Sequence, residues 1–219
     1  MLIKQLDILT PQPGETYRFY SDILGLEMVS EDDHSMNFKA GESILKFSFS
    51  SFGNPYYHFA FNIPNNQIQQ AVEWISKRTD IIPVEGQSIA DFRNWNAEAL
   101  YFMDPTGNIL EFIARKDLNN HSGSPFSPYS ILNISEAAVV THDVRTLVSK
   151  MEKAYDILPF SKQPVKDDFA ALGDDNGLLI LSGNDRHWYP THIPALPFPV
   201  QVSLMKDNEL LTLDFNMHI

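Results

Sequence analysis

Tyr17-Arg18-Phe19-Tyr20-Ser21-Asp22-Ile23-Leu24-Gly25-Leu26 is the stretch whose reading decides the fold. It reads as a helix over about 15–24, entered through Pro13 and closed by Gly25, a residue suited to the left-handed conformation that ends helices. Upstream, residues 3–9 alternate in polarity as a strand does. Downstream, strand-like runs at 26–30, 36–40 and 44–49 are separated by Asp/His and Gly/Glu turns. The order is βαβββ.

That order starts again at residues 57–63, which are apolar and aromatic. Asn65 or Asn66 is placed to cap a helix carrying Ile68, Val72 and Ile75 at helical spacing. Strands are expected near 82–84, 99–102 and 109–114, the last two joined by the turn Asp104-Pro105-Thr106-Gly107. Residues 119–129, rich in Asn, Ser, Gly and Pro, read as a linker. A third copy follows, with a strand at 134–140, Asp143 as a cap, a stripe of Val144, Leu147, Val148, Met151 and Tyr155, and strands at 169–172 and 178–181. After Trp188 come Pro190, Pro194, Pro197 and Pro199 and two short apolar runs, 200–205 and 210–215, with no helical pattern. The expected domains are 1–116, holding two modules at 1–52 and 56–115, a linker at 117–129, and 130–219, a third module with a degenerate fourth. The fold class is α+β, repeated βαβββ modules around a cupped mixed sheet, although periodicity alone leaves several sandwich-like arrangements open.

A net charge of -12 argues against nucleic acid and anionic membrane as partners, since both need a basic footprint. No cysteine is present, which removes disulfides, thiolate metal sites and cysteine nucleophiles and leaves nitrogen and oxygen as metal ligands. No basic head precedes an apolar run at residues 1–9, and no run approaches the roughly 18 to 20 apolar residues of a membrane span, so a cytoplasmic location is expected. Glycine-rich phosphate loops, nucleophile elbows and helical His-Glu-x-x-His sequences are absent.

The quoted helix resembles that of the first module in glyoxalase I and other vicinal oxygen chelate proteins, where an aromatic pair precedes Leu-Gly. Tyr57-His58-Phe59-Ala60-Phe61 is similar to the strand opening their second module, and Asp104-Pro105-Thr106-Gly107-Asn108-Ile109-Leu110-Glu111-Phe112 to their final hairpin. The resemblance spans residues 1 to about 115. It implies a small molecule bound in a cup, with a divalent metal (Fe, Mn, Ni or Zn) held by strand residues. The matching positions are Gln5, Lys46, His58 and Glu111.

Strand parity is consistent with this assignment. If Leu6, Ile8, Phe59, Phe61, Leu110 and Phe112 pack on helices, then Gln5, Asp7, His58, Ala60, Asn62, Glu111, Ile113 and Arg115 face the cup. His58, Glu111 and Gln5 are then the implied metal ligands, with His58 and Glu111 catalytic in lyase or ring-cleaving chemistry. Lys46 stands where relatives with four protein ligands carry a carboxylate. The alternative is a metal-free, bleomycin-resistance-like binding protein in which Lys46 neutralises Glu111 across the cup. Glu136 matches Gln5 in the third module, but the apolar run Leu178-Leu179-Ile180-Leu181 argues against a second complete site there. Arg93 and Trp95, in Asp91-Phe92-Arg93-Asn94-Trp95-Asn96, and Arg115 are candidate substrate contacts, with Lys46 beside them. Arg186-His187-Trp188-Tyr189-Pro190 is equally rich and has no assigned role. The remaining histidines, His34, His121, His142, His187, His192 and His218, are expected at the surface, and the chain as monomer or homodimer.

Overall fold

A computed structural model describes residues 1–51 and 53–215. The first module comprises β1 (Leu2–Thr10), α1 (Pro13–Tyr17) continuing as a π-helical turn over Arg18–Ile23, β2 (Glu27–Glu31), β3 (Ser35–Ala40) and β4 (Ser43–Phe49). Gly25, at φ 68°, makes the expected left-handed exit. The second comprises β5 (His58–Ile63), α2 (Ile68–Ile75), β6 (Ile81–Ile82), β7 (Ala90–Phe92), β8 (Ala97–Met103) and β9 (Ile109–Arg115). Neither Asn65 nor Asn66 caps α2. Gln67 holds that position, and the two asparagine side chains donate to the carbonyls of Leu118 and Ser122, fastening the linker to the module.

The third module is β10 (Asn133–Thr141), α3 (Val144–Tyr155), β11 (Phe169–Asp174) and β12 (Gly177–Gly183). Asp143 caps α3 as expected, its carboxylate accepting the Thr146 N–H at 2.9 Å. Of a fourth module only β13 (Gln201–Lys206) and β14 (Glu209–Asp214) are formed among the described residues. His218 lies outside the described residues, and the other five surface histidines are exposed.

All fourteen strands join one open mixed sheet, with a path β2-β3-β4-β1-β10-β5-β9-β8-β6. The strand pairing corrects how the modules combine. β5 runs antiparallel to β10, with Ala60 opposite Glu136, and β1 runs antiparallel to β13, with Leu6 opposite Val202. The second module therefore shares its cup with the third, and the first with the remnant of the fourth, so residues 1–116 do not close a cup between themselves. Parity fixes the face on which a side chain stands but says nothing about which strand becomes its neighbour. A close backbone approach seats the first module on the third. Gly41, at φ 60°, lies so near the Leu132 carbonyl that a Cβ there would stand 1.9 Å from its oxygen, and the Glu42 N–H donates to that oxygen at 2.8 Å.

Two cores lie on opposite faces of the sheet. On the helix side, Phe59, Phe61, Leu110, Phe112, Ala137 and Val139 pack with Ile68, Ala71 and Ile75 of α2 and Val144, Val148 and Met151 of α3. Burial of each phenylalanine contributes on the order of 2–3 kcal/mol. On the cup side, Ala60, Ala99, Tyr101, Ile109, Ile113, Ala138, Leu178 and Ile180 are covered by Trp188 and Ala195 of the proline-rich segment. No helix among the described residues is long and apolar enough to cross a membrane.

Candidate functional site

Five adjacent strands present one row across the shared cup. Tyr101 on β8 pairs with Glu111 on β9, Glu111 with Ala60 on β5, Ala60 with Glu136 on β10, and Glu136 with Leu178 on β12. The methyl group of Ala60 leaves space above it, so the two flanking carboxylates face one another over a small residue. His58, two positions from Ala60 on the same face, completes the group.

His58, Glu111 and Glu136 are all buried, and one ligand atom from each lies within 4.8 Å of the others. The His58 Nδ1–H donates to the Ile109 carbonyl at 3.0 Å, which leaves the Nε2 lone pair directed to the cluster, 3.7 Å from Glu111 Oε2. Burial drives the His58 pKa down to about 4, so the ring is neutral near pH 7 and ready to be a ligand. Glu111 is pushed well above the ordinary carboxylate range, first by burial and then by the neighbouring Glu136, against the Tyr101 hydrogen bond and the Arg115 charge. Glu136 is also raised by burial, and Arg115 opposes the shift. The raised proton affinity of Glu111 and the Arg115 charge beside Glu136 relieve the repulsion between the two acids, and a cation bound by all three donors would do the same. One nitrogen and two carboxylates form a fitting donor set for a first-row divalent ion with positions left open.

The cluster forms the floor of a cavity of about 440 Å³. Tyr101, Trp188, Tyr189, Phe92 and Trp95 supply aromatic walls, and the Trp188 ring lies 5.6 Å from that of His58. Trp188 is held by backbone bonding within the proline-rich segment, its N–H donating to the Ile193 carbonyl at 2.8 Å. The stretch that shows no module-like pattern in the sequence is therefore a wall of the site.

Several sequence-predicted residues stand elsewhere. Gln5 lies on β1 opposite Ser203, outside the cluster, and Glu136 takes the place expected for it. Lys46 does not reach Glu111. It pairs with Asp7 at 2.7 Å on the half-exposed face of the first module. Arg115 does not reach the rim either. It is fully buried, bonded to Ser135 and, at 2.5 Å, to Glu136, with the Trp95 ring 5.4 Å away. It braces a floor residue from the side, within the cup-side core. Arg93 and Trp95 do line the cavity, as do Arg186 and Trp188. The missed signal for Glu136 is a lone carboxylate inside the apolar run 134–140.

The sequence description of the Glyoxalase/Bleomycin resistance protein/Dioxygenase superfamily matches residues 2–112. No curated protein matches the chain. Among solved structures, a candidate dioxygenase from Bacillus subtilis subsp. subtilis str. 168 superposes at TM-score 0.61 with 17% identity, over 83% of this chain and 63% of that one. A V278E mutant of glyoxalase I from Zea mays superposes at TM-score 0.59 with 17% identity, over 87% of this chain and 68% of that one. The chain thus spans about two thirds of the length of these structures, and the likeness is one of fold.

Proposed function

The chain belongs to the Glyoxalase/Bleomycin resistance protein/Dioxygenase superfamily, and from that premise we propose a metal-dependent enzyme acting on a small molecule in the cup shared by the second and third modules. One observation carries this reading: three buried donors, His58, Glu111 and Glu136, within 4.8 Å of one another at the floor of an aromatic cavity. A bound Fe(II), Mn(II), Ni(II) or Zn(II) would supply Lewis-acid polarisation of adjacent ligand oxygens, or oxygen activation in the case of iron. The surrounding residues supply the rest. The Ile109 carbonyl fixes the His58 tautomer. Glu111, hydrogen-bonded to Tyr101, is the carboxyl placed to take or return a proton when the ion does not engage it. Trp188 and Tyr189 narrow the approach of water. Lyase and ring-cleaving chemistry both fit this arrangement.

A metal-free binding protein remains the second reading, favoured by the Arg115–Glu136 pair, which already neutralises part of the acid charge. Metal analysis of chain purified without chelators, followed by titration with the four ions, separates the two. The metalloenzyme reading expects about one ion per chain and an affinity lowered about a hundredfold or more by H58A, E111Q or E136Q, with Q5A unchanged. A wild-type chain that neither retains nor takes up any of the four ions sinks it. Function in the cytoplasm, as monomer or homodimer, completes the proposal.

A further inference from the structure

We propose that the mouth of this cup is an oxyanion subsite, in which Arg93 and Arg186 receive a carboxylate or phosphate at the end of the ligand remote from His58, Glu111 and Glu136. The proposal rests on the cup binding a small molecule.

The chain carries 16 Lys and Arg against 28 Asp and Glu, yet the only such cations among the described lining residues are these two arginines. They come from different modules. Arg93 begins the short helical turn between β7 and β8, and Arg186 follows β12. The floor between them is acidic, so an anionic ligand would be repelled along its approach unless cations at the rim offset that field. Much of the remaining lining is aromatic, which suits a ligand with a flat apolar body.

Both guanidiniums are available. Arg93, 88% exposed, bonds Asp91 at 2.8 Å, and Arg186, 34% exposed, bonds Asp168 at 2.6 Å, with that aspartate 52% exposed. Exposed pairs of this kind contribute about 0–1 kcal/mol, so exchanging an aspartate for a ligand anion costs little. Each guanidinium has further N–H groups with no hydrogen bond among the described residues. Arg186 also lies 5.1 Å from the centre of the Phe169 ring, another lining residue, which holds its plane against the wall. Planar forks of N–H donors match the oxygens of carboxylate and phosphate.

Isothermal titration of the whole chain with naphthylacetate, naphthyl phosphate and the neutral naphthylethanol tests this. The chain is first treated with a chelator, because a carboxylate or phosphate oxygen would also coordinate an ion held by His58, Glu111 and Glu136. The wild type is expected to bind naphthylacetate or naphthyl phosphate about tenfold tighter than naphthylethanol. The preferred anion identifies which oxyanion the subsite takes. In the R93Q/R186Q double variant the ratio falls to about one while naphthylethanol binds as before, and in E111Q the anion preference persists. Equal affinity for charged and neutral probes, a preference that survives the double variant, or no binding of any probe overturns the subsite. Metal uptake by the same sample reports separately on the catalytic reading.

Discussion

β1 and β5 open the first two modules and occupy equivalent places in them, yet they meet different fates. Along β1 buried residues alternate with half-exposed ones, so Leu6 and Ile8 face the core while Gln5 and Asp7 remain partly in water. Along β5 every residue from His58 to Ile63 is buried. The difference lies in what covers the second face. β5 lies between β9 and β10 under the aromatic wall and the proline-rich segment, whereas β1 lies between β4 and β13 with Gln5 and Asp7 half-buried. The same module thus yields an open polar face in one setting and a desolvated chamber in the other. In the chamber a histidine and two carboxylates acquire shifted protonation and stand within 4.8 Å of one another.

The largest expected contrast is between the two ion pairs. Arg115–Glu136 lies inside, with side chains 0% and 4% exposed, and Lys46–Asp7 lies at 29% and 15%. Replacing Arg115 leaves a buried carboxylate without its partner, and R115M is expected to destabilise the chain by about 3–5 kcal/mol in urea unfolding at neutral pH. K46M is expected to cost under about 1 kcal/mol. Equal losses would show that the two cups are equally desolvated and would break the comparison.

How much of this was legible in the sequence follows from the same contrast. The modules, their helices and the cup-facing parity of β5 and β9 were readable, because periodicity and turn chemistry are local properties of the chain. Parity also placed Gln5, His58 and Glu111 on inward faces, and the resemblance added Lys46, but both assumed that the first two modules meet. The pairing of β5 with β10 is a long-range choice, and it brings Glu136 and Arg115 into the site while leaving Gln5 and Lys46 outside. Trp188 and Arg186 escaped assignment for another reason. They sit on an irregular segment held by isolated backbone bonds, such as that from the Ala195 N–H to the Arg186 carbonyl, and no periodic pattern marks such a wall.

A second contrast, of intermediate size, concerns protons. His58 holds a native pKa of about 4 against an unperturbed 6.5, so the unfolded chain takes up its proton first as the pH falls. This histidine contributes stability that is fully present above about pH 6.5 and lost on acidification toward about pH 4, by roughly 2–3 kcal/mol. Glu111 acts with the opposite sign. Its raised native pKa gives stability that is present at low pH and lost as pH rises through the native value. Urea unfolding of wild type and H58Q at pH 7 and pH 4.5 isolates the histidine, since Glu111 is present in both. The variant should lose less stability between the two conditions by that amount, and parallel losses would mean that the chamber does not desolvate His58.

The smallest effect is expected at the open face, and it is the sharper test of why Lys46 stands there. Lys46 and Asp7 are opposite each other in the parallel β1–β4 register, and Ser48 donates to the same aspartate at 2.8 Å. With both charges partly hydrated, their attraction is screened and set against the entropy of ordering a long side chain. A double-mutant cycle of D7N and K46M should give a coupling of at most about 1 kcal/mol, shrinking further in high salt. Neither substitution should change the affinity for a divalent ion, because the lysine neutralises Asp7 in the first module and not the chamber floor. If K46M instead raised that affinity, the charge of Lys46 would be felt at Glu111, and the separation between the two cups drawn from strand pairing would have to be abandoned.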